Sequence, residues 1–483
     1  MKLYFEILKA LSKKYILKKN TGIVIKDACE NMGIVYIKLA QILSTQNVGN
    51  VFTEEDRRYL SSICDNCKPI SFDKIKSIIE SEYNKSLDEI FSSIEEQPVG
   101  SASISQVHRA TLKDGKVVAI KIKRKDITKS IESDINRIRK LMNRYGKLFG
   151  FKNIIGGNKA LDLYLQWIYE ETDFKHEKEN IKKYKRFGDS VNGSVKDTKE
   201  IKVPMVYDEL CTDNIIVMDY VDSKTINQME LNESNKQKIG KALNSYLQLS
   251  FNALFNDKKI IFHGDPHGGN IYIDDDDNIG FLDMGLLFEL SEEDSKMTRE
   301  FFLAAFLGNH KKIYELLMPY GKLGTTNKED FKKEISIYCD KIKNMPVTSY
   351  FMEMVNICLK YEISPPDFLF CMTKAFVCLD GISGFSENIT KATELLKKQV
   401  TEFYVKRTIE DTYNLTIEGL SLAPRLIQST LKYGLVRGLV EEIPAIEKVQ
   451  LNLKESLDNY REILDFFIPS NCDNPFQNVK RDK

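Results

Sequence analysis

The sequence predicts an α+β fold in two lobes, with a helical extension ahead of it and a mostly helical C-terminal region. Three observations carry this expectation. Apolar residues recur at helical spacing in Phe5–Ile16 and Val35–Leu43, the texture turns to short β-rich runs around residues 92–124, and helical patterning returns from residue 223 onward. The implied division is a helical extension over 1–90, a sheet-bearing lobe over 91–222, and a helical lobe with its own extension over 223–483. A chain of 483 residues is long enough to bury two or more sizeable cores.

In the second segment Val107–Arg109, a Lys113-Asp114-Gly115 turn and Val117–Ile122 read as an antiparallel hairpin. Charged helical stretches follow at about 126–146 and 159–187, separated by a break at Gly156-Gly157. Val203–Tyr207 and Asn214–Tyr220 read as two further strands joined by a polar turn. Beyond 223 a short hairpin, Ile271–Ile273 with Ile279–Leu282, interrupts the helices. Its Asp274–Asp277 turn reads as a solvated tip, because contiguous acids lack the alternating spacing of a calcium loop. Residues 290–465 read as helical throughout.

Charge and composition set limits on partners. Lys+Arg and Asp+Glu both number 70, so no global field draws the chain to nucleic acid. Nine scattered cysteines and charges throughout Met1–Lys19 point to a reduced, cytoplasmic setting. Cys64 and Cys67 form a single CxxC with no second pair or nearby histidine, so two ordinary thiols are expected rather than a zinc site. No run of eighteen uncharged apolar residues exists to span a membrane. Leu420–Val440, with Arg425, Lys432 and Arg437 interspersed, and Phe5–Leu17 fit either basic amphipathic helices at an anionic membrane surface or core helices.

The chemistry concentrates in Ile261-Phe-His-Gly-Asp-Pro-His-Gly-Gly-Asn270 and Phe281-Leu-Asp-Met-Gly285. Phosphoryl transfer needs metal ions to neutralise phosphate charge and a carboxylate beside the attacking oxygen. Asp265 supplies the carboxylate; Asn270 and Asp283, brought to one edge by the intervening hairpin, supply oxygen ligands for Mg2+. His263 reads as a packing and hydrogen-bonding residue, and His267 has no assigned role. Upstream, Lys121 ends Val118-Ala-Ile-Lys121 and is placed to meet the α- and β-phosphates of ATP, held by a carboxylate. Composition alone does not choose between Glu171 and Glu177 for that partner. Met218-Asp219-Tyr220 falls at the strand end where a protein-kinase-like lobe binds the adenine edge through its backbone.

These motifs together resemble the UbiB-type atypical kinase-like family, also called AarF or ADCK proteins. Tyr36-Ile-Lys-Leu-Ala-Gln41 is similar to the family's KxGQ helix with Ala40 in place of glycine. Pro98-Val-Gly-Ser-Ala-Ser-Ile-Ser-Gln-Val-His-Arg109 is similar to its alanine-rich loop, and Glu171-Thr-Asp173-Phe-Lys-His-Glu177 to its ExD helix. The catalytic loop has Gly268 where proline is common. The resemblance covers roughly residues 30–290 and implies a bilobal protein-kinase-like fold with ATP and Mg2+ as cofactors. It implies that Lys121 pairs with Glu177 and that Gly100, Ser101, Ala102 and Ser103 cover the nucleotide phosphates. Lys38 and Gln41 would lie over the site as a lid facing Glu171 and Asp173, restricting access to protein substrates. The implied activity is that of an ATPase or kinase working on or near isoprenoid lipids such as quinone precursors, or in membrane lipid homeostasis; with no membrane-spanning run in the sequence, any membrane attachment is expected to be peripheral. A small-molecule phosphotransferase of the aminoglycoside or choline type and a non-catalytic nucleotide-binding scaffold are the alternatives.

Overall fold

A computed structural model describes residues 20–45, 69–145 and 157–380 apart from short gaps at 126, 257–258, 322–327, 343–344 and 346, together with the single positions 53, 55, 56, 59, 382 and 400. Cys64, Cys67, Phe5–Leu17 and Leu420–Val440 lie outside the described residues, as does the side chain of Gln41.

The N-terminal segment forms α1 (Thr21–Met32) and α2 (Ile34–Thr45). Asn20 starts α1 by accepting from the Gly22 amide at 2.7 Å, satisfying one of the open N–H groups of a helix start. After α3 (Phe72–Tyr83) and the short α4 (Leu87–Ile90) the chain enters the sheet: β1 (Phe91–Ile94), β2 (Gly100–Ser101), β3 (Ser105–Leu112) and β4 (Val117–Lys123). Then come α5 (Ile127–Tyr145), α6 (Gly157–Glu170), α7 (Phe174–Val191), β5 (Ile201–Lys202) and β6 (Ile215–Asp219). The antiparallel sheet runs β1-β3-β4-β6, with β2 on β3.

Strand alternation gives this sheet two different faces. Val118, Ile120, Ile122, Ile215 and Val217 pack against Ile75 and Ile79 of α3. Ala119, Ile216 and Met218 face the other way, into the core shared with α7. A buried polar clamp closes the first face. Gln106 accepts from the Ile70 amide at 2.7 Å and donates to the Ile70 carbonyl at 3.1 Å, while its Nε2 meets His108 Nε2 at 2.9 Å. His108 Nδ1 lies 2.8 Å from the Glu95 carbonyl.

The second lobe begins with α8 (Glu233–Phe255) and adds β7 (Ile261–His263), β8 (Ile271–Ile273), β9 (Ile279–Phe281) and β10 (Leu287–Glu289). Helices α9 (Glu292–Leu307), α10 (His310–Leu317), α11 (Lys328–Ile342), α12 (Val347–Lys360) and α13 (Asp367–Asp380) follow. Phe251, Phe302, Phe351 and Phe376 bind α8, α9, α12 and α13 together through ring contacts of 5.1 to 6.0 Å. No helix among the described residues is long and apolar enough to cross a membrane.

The structure departs from the sequence reading in three places. The helix expected over 159–187 is two helices, because the Asp173 carboxylate accepts from the Lys175 and His176 amides and starts a new one. Val203–Tyr207 is not a strand: Pro204 offers no N–H, and the segment keeps one bridge, Val206 to Met218. Its neighbour Ile201–Lys202 pairs in parallel with β9 instead, tying this connection to the floor of the second lobe. The short pairs β1–β3 and β7–β10 are absent from the sequence expectation: Phe91–Ile94, Ile261–His263 and Leu287–Glu289 lack the tight polar turn that marks the Ile271–Ile273 and Ile279–Phe281 hairpin.

Candidate active site

Lys121 points from β4 into the cleft between the lobes, alternating with the buried Ile120 and Ile122 on the opposite face. Its ammonium donates to Glu177 Oε1 at 2.5 Å and to Asp283 Oδ2 at 3.0 Å. Glu177 is in the first turn of α7, which the Asp173 cap sets in register. Burial pulls the Lys121 ammonium down, but the Asp283 and Glu177 charges outweigh it and raise Lys121 above the ordinary lysine range. Asn180, one turn along α7, donates to the Met284 carbonyl at 3.0 Å, so the same helix also grips the Asp283-Met-Gly285 backbone.

The loop from Gly264 to Asn270 is fixed by His263. Its Nδ1 accepts from the Asp265 amide at 3.1 Å, so the proton resides on Nε2, which donates to the Asp283 carbonyl at 2.5 Å. Burial depresses this imidazole to about 4, and its ring stacks on Phe281 at 5.0 Å. It is a neutral hinge pin between the two motif segments, in keeping with the packing role read from the sequence.

Asp265 sits among two lysines, a histidine ring and a thiol. Lys374 lies 3.2 Å from Oδ1, Lys38 3.8 Å and His267 4.0 Å from Oδ2, and the Cys378 thiol donates to Oδ1 at 3.4 Å. Burial pushes this carboxyl up, but Lys374, Lys38 and His267 more than reverse it and hold Asp265 far below the usual range. Asn270 donates its Nδ2 to the Asp265 carbonyl at 3.3 Å, and the Leu282 amide donates to the Asn270 carbonyl at 2.9 Å, setting Asn270 beside Asp283. Asp283 is 42% exposed, enough to reach a cation from solvent. Burial raises it, yet Lys121 and the Gly285 amide bring it to about 2. An ionised carboxylate next to an amide oxygen is a hard, oxygen-only donor pair of the kind Mg2+ takes while keeping waters. The residues therefore fit the ion.

The remaining expected residues fall around this centre. Lys38 meets Glu171 at 3.1 Å, whereas Asp173 is exposed and engaged in capping α7, so only the first acid of the ExD pair faces the lysine. Burial raises the Glu171 carboxyl while Lys38 opposes it. Ala40 is 1% exposed, its methyl packed into the core. Gly100 and Ser101 pair with Val107 and Gln106, and the Ala102 amide donates to the Ser105 carbonyl at 2.9 Å. A Cβ at Gly100 would touch nothing within 4 Å. Met218 is buried in the core. Asp219 is occupied: its amide donates to the Met205 carbonyl, and its carboxylate accepts from the Met205 amide and the Tyr207 hydroxyl, each at 2.8–2.9 Å. The Tyr220 amide donates to the Val117 carbonyl at 3.4 Å.

Three contributors escaped the sequence reading. Arg124 clamps the Gly100–Ser103 loop, donating to the Ala102 carbonyl and to Ser101 Oγ, both at 2.9 Å. Lys374 and Cys378 come from α13. The available signal was Lys374 itself, the lone charge in the apolar run from Phe368 to Leu379; an isolated buried charge needs a partner.

The bilobal α+β chain, with Lys121–Glu177 and Asp283 in its cleft opposite the Asp265 loop, has the arrangement of a protein-kinase-like domain. The family model described as the ABC1 atypical kinase-like domain matches residues 62–317, and the chain belongs to that family. Its curated relatives include proteins named probable protein kinase UbiB, which bears out the UbiB-type resemblance. The one from Shewanella piezotolerans is 27% identical over 370 residues, covering 74% of this chain and 65% of its own. A Clostridium pasteurianum relative, described as an uncharacterized protein in the hydrogenase 1 5′ region, is 30% identical over 368 residues, covering 74% and 66%. The chain thus spans just under two thirds of the length of these relatives. A Mycobacterium tuberculosis protein solved as a complex with erythromycin aligns at TM-score 0.44 and 18% identity, over 66% of this chain and 84% of that one.

Proposed function

We propose that the protein binds MgATP in this cleft and hydrolyses it or transfers its γ-phosphoryl group, in the service of isoprenoid lipid chemistry of the quinone type. The Lys121–Glu177–Asp283 cluster, facing Asp265 across the cleft, is the observation that carries this reading. Lys121 would meet the α- and β-phosphates, and the Gly100–Ser103 loop held by Arg124 would cover them. Asn270 and Asp283 would hold Mg2+, which when bound neutralises phosphate charge. Asp265 would take the proton of the attacking water or hydroxyl. The three-part division at residues 90 and 222 belongs to the same proposal, as does a lid role for Lys38. So does a cytoplasmic, membrane-peripheral location; flotation with anionic liposomes tests that contact, and protein left wholly at the bottom overturns it.

A second reading, a nucleotide-binding scaffold, is favoured by one observation: the oxygens of Asp265 already face Lys374 and Lys38. Calorimetric MgATP titration alongside a hydrolysis assay, with and without liposomes, separates the two. Asp283→Asn is expected to weaken MgATP binding on the order of 10- to 100-fold, as losses in a metal's coordination shells do. Binding without turnover in the parent selects the scaffold, and no binding rejects both.

A further inference from the structure

The two oxygens of Asp265 are not equivalent. Oδ1 is taken by the Lys374 ammonium at 3.2 Å and the Cys378 thiol at 3.4 Å, and the same ammonium donates to the Gly264 carbonyl at 2.8 Å. Oδ2 accepts no hydrogen bond from the described residues; its nearest basic groups are the Lys38 ammonium at 3.8 Å and the His267 ring at 4.0 Å. Lys374 and Cys378 are four apart, so one face of α13 presents both. The rest of the helix cannot drift, since Leu369, Met372, Phe376 and Leu379 are buried in the core. This pair lies beyond the stretch that the family model matches.

Stability alone does not explain a lysine here. It is 16% exposed in an apolar helix, and an apolar side chain of similar volume at such a position is commonly neutral or stabilising when a buried ion pair is replaced whole. What an apolar residue could not do is hold one carboxylate oxygen and the loop backbone at once. Resting on the phosphoryl-transfer reading above, we infer that Lys374, assisted by Cys378, is a positioning residue that fixes Oδ1 and the loop at Gly264 and so presents Oδ2 to the acceptor. In the step it serves, the acceptor hydroxyl or water gives its proton to Oδ2 as its oxygen bonds to the γ-phosphorus. The bond from that phosphorus to the β-phosphate oxygen breaks, and its electron pair leaves with the nucleoside diphosphate. The Cys378 thiol, pushed up to about 12 by burial and by Asp265, stays protonated and remains a donor throughout.

The test compares MgATP hydrolysis and binding by the full chain with those of Lys374→Met, Lys374→Arg, Cys378→Ser and Asp283→Asn, with a melting curve for each. Misplacement of a reacting group by about 1 Å costs about 100-fold, so Lys374→Met is expected to lose roughly that in kcat. Its nucleotide KM and Kd should stay within about twofold of the parent, a split that a general loss of structure would not give. Lys374→Arg, which can still donate to Asp265 Oδ1 and to the Gly264 carbonyl, should recover to within about tenfold. Cys378→Ser should stay within about threefold, since a hydroxyl donates as a thiol does. If Lys374→Met is too unstable to assay, recovery in Lys374→Arg with unchanged KM decides. A parent that turns over while Lys374→Met keeps its kcat overturns this inference alone. A parent that binds MgATP through Asp283 without turnover also overturns it and leaves nucleotide binding standing. A parent that binds no nucleotide overturns the functional reading first.

Discussion

His108 is wholly buried and neutral, and its partners dictate its tautomer. The Glu95 carbonyl can only accept, so Nδ1 carries the proton and Nε2 must accept from Gln106. A second proton would set an N–H against the Gln106 amide, and burial already lowers this imidazole from the ordinary 6.5. The unfolded chain therefore takes up the proton first as pH falls. The stabilisation is complete above 6.5 and is lost on acidification below it. Melting temperatures from pH 7.5 to 5 should fall more steeply for the parent than for His108→Gln; parallel curves would refute this account. Residues of this kind differ in how readable they are in sequence. Lys121, Asp265, Asn270 and Asp283 stand within short motifs that are visible in the sequence itself. Lys374 reaches Asp265 across 109 residues of chain, and no local spacing encodes such a meeting.

The β8–β9 hairpin carries Asn270 at one end and Asp283 at the other, so its integrity is a condition of the site. Gly280 packs under the Tyr272 ring, and a Cβ there would stand 1.9 Å from the ring carbon Cζ. Gly280→Ala should therefore destabilise by about 1–3 kcal/mol, the cost of overpacking, read as a lowered urea midpoint; an unchanged midpoint would show that the ring swings away freely. Gly100 is the contrast: with nothing near its missing methyl, Gly100→Ala should fold as the parent does. Any change it makes in MgATP affinity then reports backbone freedom in the loop. At this scale the sequence was legible where a polar turn joined two β-rich runs, as in β3–β4 and β8–β9, or where helical spacing ran long, as in α5. It misled where a side chain competed with the pattern: Asp173 split one helix in two, and Pro204 kept residues 203–207 out of the sheet.

Across the whole molecule, the N-terminal segment reaches the cleft through Lys38 and Glu171, side chains 15% and 13% exposed. Removing one partner of a mostly buried pair strands the other, so Lys38→Ala should cost about 3 kcal/mol, and Lys38→Ala with Glu171→Gln should recover most of it. Additive losses in chemical denaturation would show that the two do not act as a pair. The bilobal plan was legible from the order of patterns alone, whereas the union of both helical regions on one carboxylate was not.

That union also bears on how the protein reaches its native state. The contacts of the charged cluster close segments of 56, 109 and 162 residues, linking Lys121 to Glu177, Lys374 to Asp265 and Lys121 to Asp283. Each closure must first overcome the entropy of a long loop, and contacts this distant along the chain form slowly. On a ribosome the carboxylate of Asp265 would emerge more than a hundred residues before the ammonium of Lys374. Until α13 arrives, the Asp265 loop lacks the cation and thiol that hold Oδ1.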